Sequence, residues 1–119
     1  MEQKEKKTFD LEERTLAFAM AVREFVKTLS RSVANIEDGK QLVRSSGSVG
    51  ANYIEANEAL SKRDFAMRIK IARKEAKESV YWLKLIDVSD SLKARRISLE
   101  REGVELTKIL SSILLKSAE

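Results

Sequence analysis

Two sets of polar side chains stand out by type and spacing. The first lies in RSSGSVGANYIEANEAL, residues 44–60, where Arg44, Ser48, Asn52 and Glu55 recur at helical steps. On a helix that spacing puts a guanidinium, a hydroxyl, an amide and a carboxylate on one face. Arg68, Glu75 and Glu78 follow at compatible spacing. Brought face to face across a helix pair, Arg44 and Glu55 would each meet an opposite charge. Ser48 and Asn52 would satisfy themselves on neighbouring backbone or side chains. Such a network fixes register and partner choice more than it adds stability. Arginine and asparagine are also residue types that contact phosphates and base edges.

The second set is basic. Lys62, Arg63, Lys70, Arg73, Lys74 and Lys77 crowd one stretch, and Lys93, Arg95 and Arg96 cluster beyond it. One reading is a solvated helix face balanced by local Glu–Lys pairs. The other is a shallow phosphate-tracking surface for nucleic acid, with little sequence preference. These nine residues are the candidate nucleic-acid contacts. One copy offers a modest patch, and a symmetric ring of copies would multiply it.

Other chemistries are poorly served. The chain has no cysteine and no histidine, which removes thiolate nucleophiles, Cys-based metal sites and the commonest general base and transition-metal ligand. SSGSVG is not a phosphate-binding loop, because no strand precedes it and no Lys-Ser or Lys-Thr follows its glycines at the required spacing. No nucleophile–base pair is visible, so the expectation is a non-enzyme with no catalytic residues, cofactor or metal. The net charge is +4 and the pI about 9.4, compatible with nucleic acid or an acidic partner. No apolar run reaches the roughly 18 residues of a membrane span, and MEQKEKKTFDLEER has no signal-peptide core. A cytoplasmic protein without membrane contact is expected.

The elements that must hold these groups read as helices. The 119 residues, 43% apolar and 35% charged with no proline, suit one all-helical domain over residues 1–119, with residues 1–8 frayed. Leu11, Phe18, Val22, Phe25 and Leu29 mark a first amphipathic helix. SRSVANIEDGK interrupts it, with Asn35 and Asp38 as a weak start signal for the next. From Leu42 a stripe runs through Ser46, Val49, Tyr53, Ala56 and Leu60, and a neighbouring one through Val43, Gly47, Gly50 and Ile54. The helical period persists across the glycines although each costs up to about 1 kcal/mol against alanine. A helix that tolerates them has a close backbone approach there. SKRD (residues 61–64) has capping-box spacing and opens a third helix over 62–90. Its stripe is Phe65, Ile69, Ala72, Ala76, Ser79, Leu83 and Ile86. Ser98 offers a cap for a last helix through Leu106, Ile109, Leu110, Ile113 and Leu114. Short links make these an antiparallel up-down-up-down four-helix bundle. Tyr81 and Trp82 share one turn and cannot both face one core. At least one packs inside, and the other is left for a subunit interface or for stacking on a base.

QLVRSSGSVGANYIEANEALSKRDFAMRIKIARKEAKESVYWLKLI, residues 41–86, resembles the signature of the four-helix-bundle proteins encoded in intervening sequences of bacterial large-subunit ribosomal RNA genes. The matching pieces are Gln-Leu, Arg-Ser, Gly-Ala-Asn (residues 50–52), Glu-Ala (55–56), Asp-Phe (64–65), Glu-Ser and Tyr-Trp-Leu. By this resemblance Arg44, Ser45, Ser48, Asn52 and Glu55 match the helix-two motif, and Glu75, Glu78 and Trp82 the helix-three motif. The resemblance implies a homopentamer. It also implies a relation to accessory proteins of diversity-generating retroelements, which bind nucleic acid and a reverse transcriptase through a basic pentamer surface. The expected function is therefore a non-enzymatic, self-associating bundle with an RNA- or DNA-associated role. The competing expectation is an interaction scaffold that binds a protein partner and no nucleic acid.

Overall fold

Serine hydroxyls begin two of the helices. Ser32 Oγ accepts the Asn35 amide at 3.1 Å and Ser61 Oγ accepts the Asp64 amide at 3.1 Å, each satisfying one of the donors a helix start leaves free. The computed structural model describes residues 2–118, with side chains from Leu11 to Ala118. The fraying expected over 1–8 lies outside the described side chains. The chain forms α1 (Glu2–Lys27), α2 (Val33–Asn57), α3 (Lys62–Leu85) and, after a 3₁₀ turn at Asp90–Leu92, α4 (Lys93–Ser117). No strand is present among the described residues, so the fold is the all-α four-helix bundle that periodicity predicts.

Pairs across the interfaces give the directions. A Cβ on Gly50 would approach Thr15, and one on Gly39 would approach Val26, so α1 and α2 run antiparallel. Arg44 reaches Glu75 and Glu78 while Asn52 meets Arg68, and α2 and α3 are antiparallel too. Gly103 against Val80 and Arg96 against Ile86 set α4 antiparallel to α3. The helices close a ring in chain order, α4 returning to α1.

The core fills from all four: Phe18, Val22 and Phe25; Leu42, Val49 and Ala56; Ile69, Ala72, Ala76 and Leu83; Leu99, Leu106 and Leu110. Small residues let α2 and α3 approach closely, and two hydroxyls fill the seam. Ser45 Oγ lies 2.8 Å from Ser79 Oγ, and Ser79 Oγ donates to the Glu75 carbonyl at 2.9 Å. Ser45 Oγ in turn reaches the Leu42 carbonyl at 3.3 Å.

Several boundaries differ from the sequence reading. Helix α2 is capped by Ser32 and starts at Val33, so Asn35 is inside the first turn rather than before it. Helix α3 stops at Leu85 instead of reaching 90. Ser98 is interior to α4, which begins directly out of the 3₁₀ turn. Leu60 follows the end of α2 and is 99% exposed, so it is no part of the core stripe.

Candidate nucleic-acid interface

The basic excess of this protein is concentrated on one helix. Helix α3 carries eight Lys and Arg against three Asp and Glu. That surplus of five exceeds the +4 of the whole chain. Helix α4 adds six cations against three acids, so the α3–α4 half of the bundle is basic and the remainder is slightly acidic.

Two of the three acids on α3 are turned toward α2. Arg44 Nη2 donates to Glu75 Oε1 at 3.2 Å and to Glu78 Oε1 at 3.3 Å. The Glu75 side chain is only 9% exposed, against 51% for Arg44. A carboxylate so placed needs its counter-charge, because desolvation disfavours the ionised form. Arg44 pairs with both of these acids, and no α3 lysine pairs with either among the described residues. One level along, Arg68 Nη1 donates to Asn52 Oδ1 at 3.3 Å while Asn52 Nδ2 donates to the Ser48 carbonyl at 2.9 Å.

Lys70, Arg73, Lys74 and Lys77 recur on the opposite, solvent-facing side of α3, and with Glu78 and Tyr81 they line a shallow groove of about 510 Å³. None of the four cations has a carboxylate within ion-pair distance among the described residues. Lys62 and Arg63 extend the stripe at the exposed N-terminus of α3. Lys93, Arg95 and Arg96 lie in the first turn of α4 rather than in a loop. There Lys93 pairs with Asp90 at 3.0 Å and Arg95 is exposed. Arg96 turns inward, its Nη1 donating to the Ile86 carbonyl at 3.2 Å and its Nε 3.4 Å from Glu100.

The register network thus gathers Arg44, Glu75, Glu78, Asn52 and the backbone of Ser48. Glu55 is exposed and forms no ion pair among the described residues, while Arg68 bonds Asn52. Trp82 packs against the core with its Nε1–H buried and without an acceptor among the described residues. Tyr81 is the ring left outside, 58% exposed, standing edge-on to Trp82 at 5.1 Å and 77°.

Three stabilising elements lie beyond the sequence reading. The Ser45–Ser79 pair was signalled only by a serine inside an apolar stripe. Asn35, 3% exposed, donates from Nδ2 to the Ser30 and Asp87 carbonyls and accepts the Asp87 amide, each at 3.1 Å. Arg14 grips Glu102 through two bonds of 2.7 and 2.9 Å, joining α1 to α4. No local pattern announces the last two, whose partners are 52 and 88 residues apart.

Residues 7–112 match the family profile of the 23S rRNA-intervening sequence proteins. The chain belongs to this family. The match crosses all four helices and includes both the Arg44 network and the basic stripe. A crystal structure of an S23 ribosomal protein family member of unknown function, from Bacteroides thetaiotaomicron, is similar to this intervening-sequence family chain. The two share 33% identity and superpose with a TM-score of 0.78, over 87% of this chain and 97% of that one. No curated protein shows significant similarity to the chain. Among the described residues no helix is long and apolar enough to cross a membrane.

Proposed function

We propose that this chain is a non-enzymatic, self-associating bundle protein of the cytoplasm, associated with rRNA intervening sequences, that binds nucleic acid through α3 and the start of α4. The observation that carries this reading is the outer stripe of α3. Its four cations form no ion pair among the described residues, and the glutamate that shares their groove, Glu78, is engaged with Glu75 by Arg44. A row of cations left unneutralised by its own protein suits a polyanion, whose binding releases condensed counterions. The resemblance of residues 41–86 to the intervening-sequence proteins implies a relation to the nucleic-acid-binding accessory proteins of diversity-generating retroelements, which points the same way.

Self-association is supported by the outer face of α1 and α2. Leu16, Met20 and Ile54 are 60%, 59% and 46% exposed around a groove of about 280 Å³ that also includes Gly47. A Cβ at Gly47 would meet nothing within 4 Å. A helix-interior glycine costs about 1 kcal/mol against alanine, and inside one subunit Gly47 brings no packing in return. A second copy approaching this groove would supply the missing neighbour, with the pentamer favoured by the family resemblance.

The test is mass by light scattering, with and without a structured RNA, at about 50 and 300 mM salt, a range over which phosphate contacts weaken strongly. An oligomer whose RNA complex forms at low salt and dissolves at high salt is expected. A monomer, or an oligomer indifferent to RNA at low salt, overturns the reading. The alternative, a protein-binding scaffold, draws on a groove of about 620 Å³ between α1 and α2, floored by Val26, Leu29, Ile36, Gly39 and Val43. Partner capture that survives high salt is its signature.

A further inference from the structure

Tyr81 sits where the basic stripe ends. It lies eleven residues beyond Lys70 and on the same face, because Lys70, Arg73, Lys74, Lys77 and Tyr81 follow the three- and four-residue steps of a helix. At 1.5 Å per residue the row is about 16 Å long. The ring is 58% exposed. Its neighbours in the groove are three lysines, an arginine and Glu78. A buried protein–protein contact is an unlike setting for such a ring, since the centres of those interfaces are depleted in lysine and glutamate. An aromatic face bordered by unpaired cations is instead the arrangement that binds single strands, with the backbone held by charge and a base stacked on the ring.

We infer that Tyr81 is a stacking platform for a base of a single-stranded nucleic acid whose phosphates run along Lys70, Arg73, Lys74 and Lys77. The inference rests on the nucleic-acid reading proposed above and names the strand form it takes. A duplex keeps its base faces stacked inside, so a ring standing on a convex helix surface meets only backbone there. An unpaired strand presents those faces. The edge-on contact with Trp82, at 5.1 Å and 77°, holds the Tyr81 ring against a partly buried neighbour. Little side-chain freedom then remains to be lost when a base stacks.

The experiment measures binding of labelled strands of about twelve nucleotides, matched to a single-strand site size. One unstructured RNA, the DNA of the same sequence and the corresponding duplex are titrated by fluorescence anisotropy at low salt. The proteins are wild type, Tyr81→Ala, Tyr81→Phe and the double variant Lys74→Ala/Lys77→Ala, each confirmed helical by circular dichroism. Tyr81→Ala is expected to weaken single-strand binding roughly five- to hundredfold, the worth of one stacked base. Duplex binding stays within twofold, and Tyr81→Phe behaves as wild type. The tighter of the RNA and DNA arms identifies the strand. If Tyr81→Ala leaves single-strand binding unchanged, or weakens duplex equally, while the lysine variant weakens both, stacking is overturned and the basic reading survives. If the lysine variant binds every strand like wild type, the basic reading falls and the inference with it.

Discussion

The close approach of α3 and α4 at Gly103 can be measured through a single added methyl. In Gly103→Ala the new Cβ would sit 2.6 Å from Val80 Cγ2, with Phe18 Cζ at 3.7 Å and the Ala76 carbonyl at 3.8 Å. Carbon atoms prefer about 3.5 to 4.0 Å, so roughly an ångström must be recovered. Valine is stiff about χ1 and cannot swing aside, which leaves separation of the two helices as the relief. Overpacking of this kind costs about 1 to 3 kcal/mol, while removing a helix-interior glycine returns up to about 1 kcal/mol. Net destabilisation of about 1 kcal/mol is expected, a Tm loss of about 4 °C for a domain this size. In a Val80→Ala background the obstructing methyl is gone, and the same Gly103→Ala change should stabilise by up to about 1 kcal/mol. The helix-propensity contribution is common to both backgrounds, so the difference between them isolates the overpacking. Urea denaturation followed by circular dichroism at one protein concentration measures all four members of the cycle. Equal effects of Gly103→Ala in the two backgrounds would refute the geometry.

Asn35→Ala removes the bridge between the α1–α2 and α3–α4 connections, takes three bonds from a side chain that is itself buried and leaves the Asp87 amide without its part-buried acceptor. A loss of about 2 to 3 kcal/mol is expected in denaturant titrations, and a loss under 0.5 kcal/mol would show the bridge to be incidental (about the surface-mutation level). Arg44→Ala leaves Glu75 without its cation. With Glu75 nearly buried and Arg44 half exposed, the expected cost is about 1 to 2 kcal/mol, between surface- and buried-pair values. Adding Glu75→Gln should recover most of it, and a double variant no more stable than Arg44→Ala would contradict the pairing.

The sequence displayed the helices and concealed the partners. Helix α2 was legible through Gly47 and Gly50 because Leu42, Val49 and Ala56 keep period on either side, and all three are buried. The small-residue reading holds at Gly50, where a Cβ would fall 2.8 Å from Thr15 Oγ1. It has no intrachain counterpart at Gly47, which faces open space. Helix ends were less legible because a cap is a competition among nearby polar residues. Ser32 takes the role that Asn35 advertises, and Ser98 rides inside α4 because the 3₁₀ turn has already set the chain in helical register. At the candidate interface, the α3 cations were visible as a list. That they form no ion pair among the described residues was not, since pairing depends on how the folded helices place the acids. The ring left exposed at Tyr81 likewise emerged only once the direction of Trp82 was fixed.

The two ends of the bundle are fastened differently. At one end Asn35 ties the α1–α2 connection to Asp87, and Arg96 holds the carbonyl of Ile86, just past the end of α3. At the other end, among the described residues, Ser61 Oγ accepts the Asp64 amide of its own helix and bonds to no other helix. The molecule is built like tongs riveted at one end. Amide hydrogen exchange should therefore be slowest around residues 33–36 and 83–86 and quicken toward the Ser61 turn, so that local opening begins at the unriveted tips and travels inward.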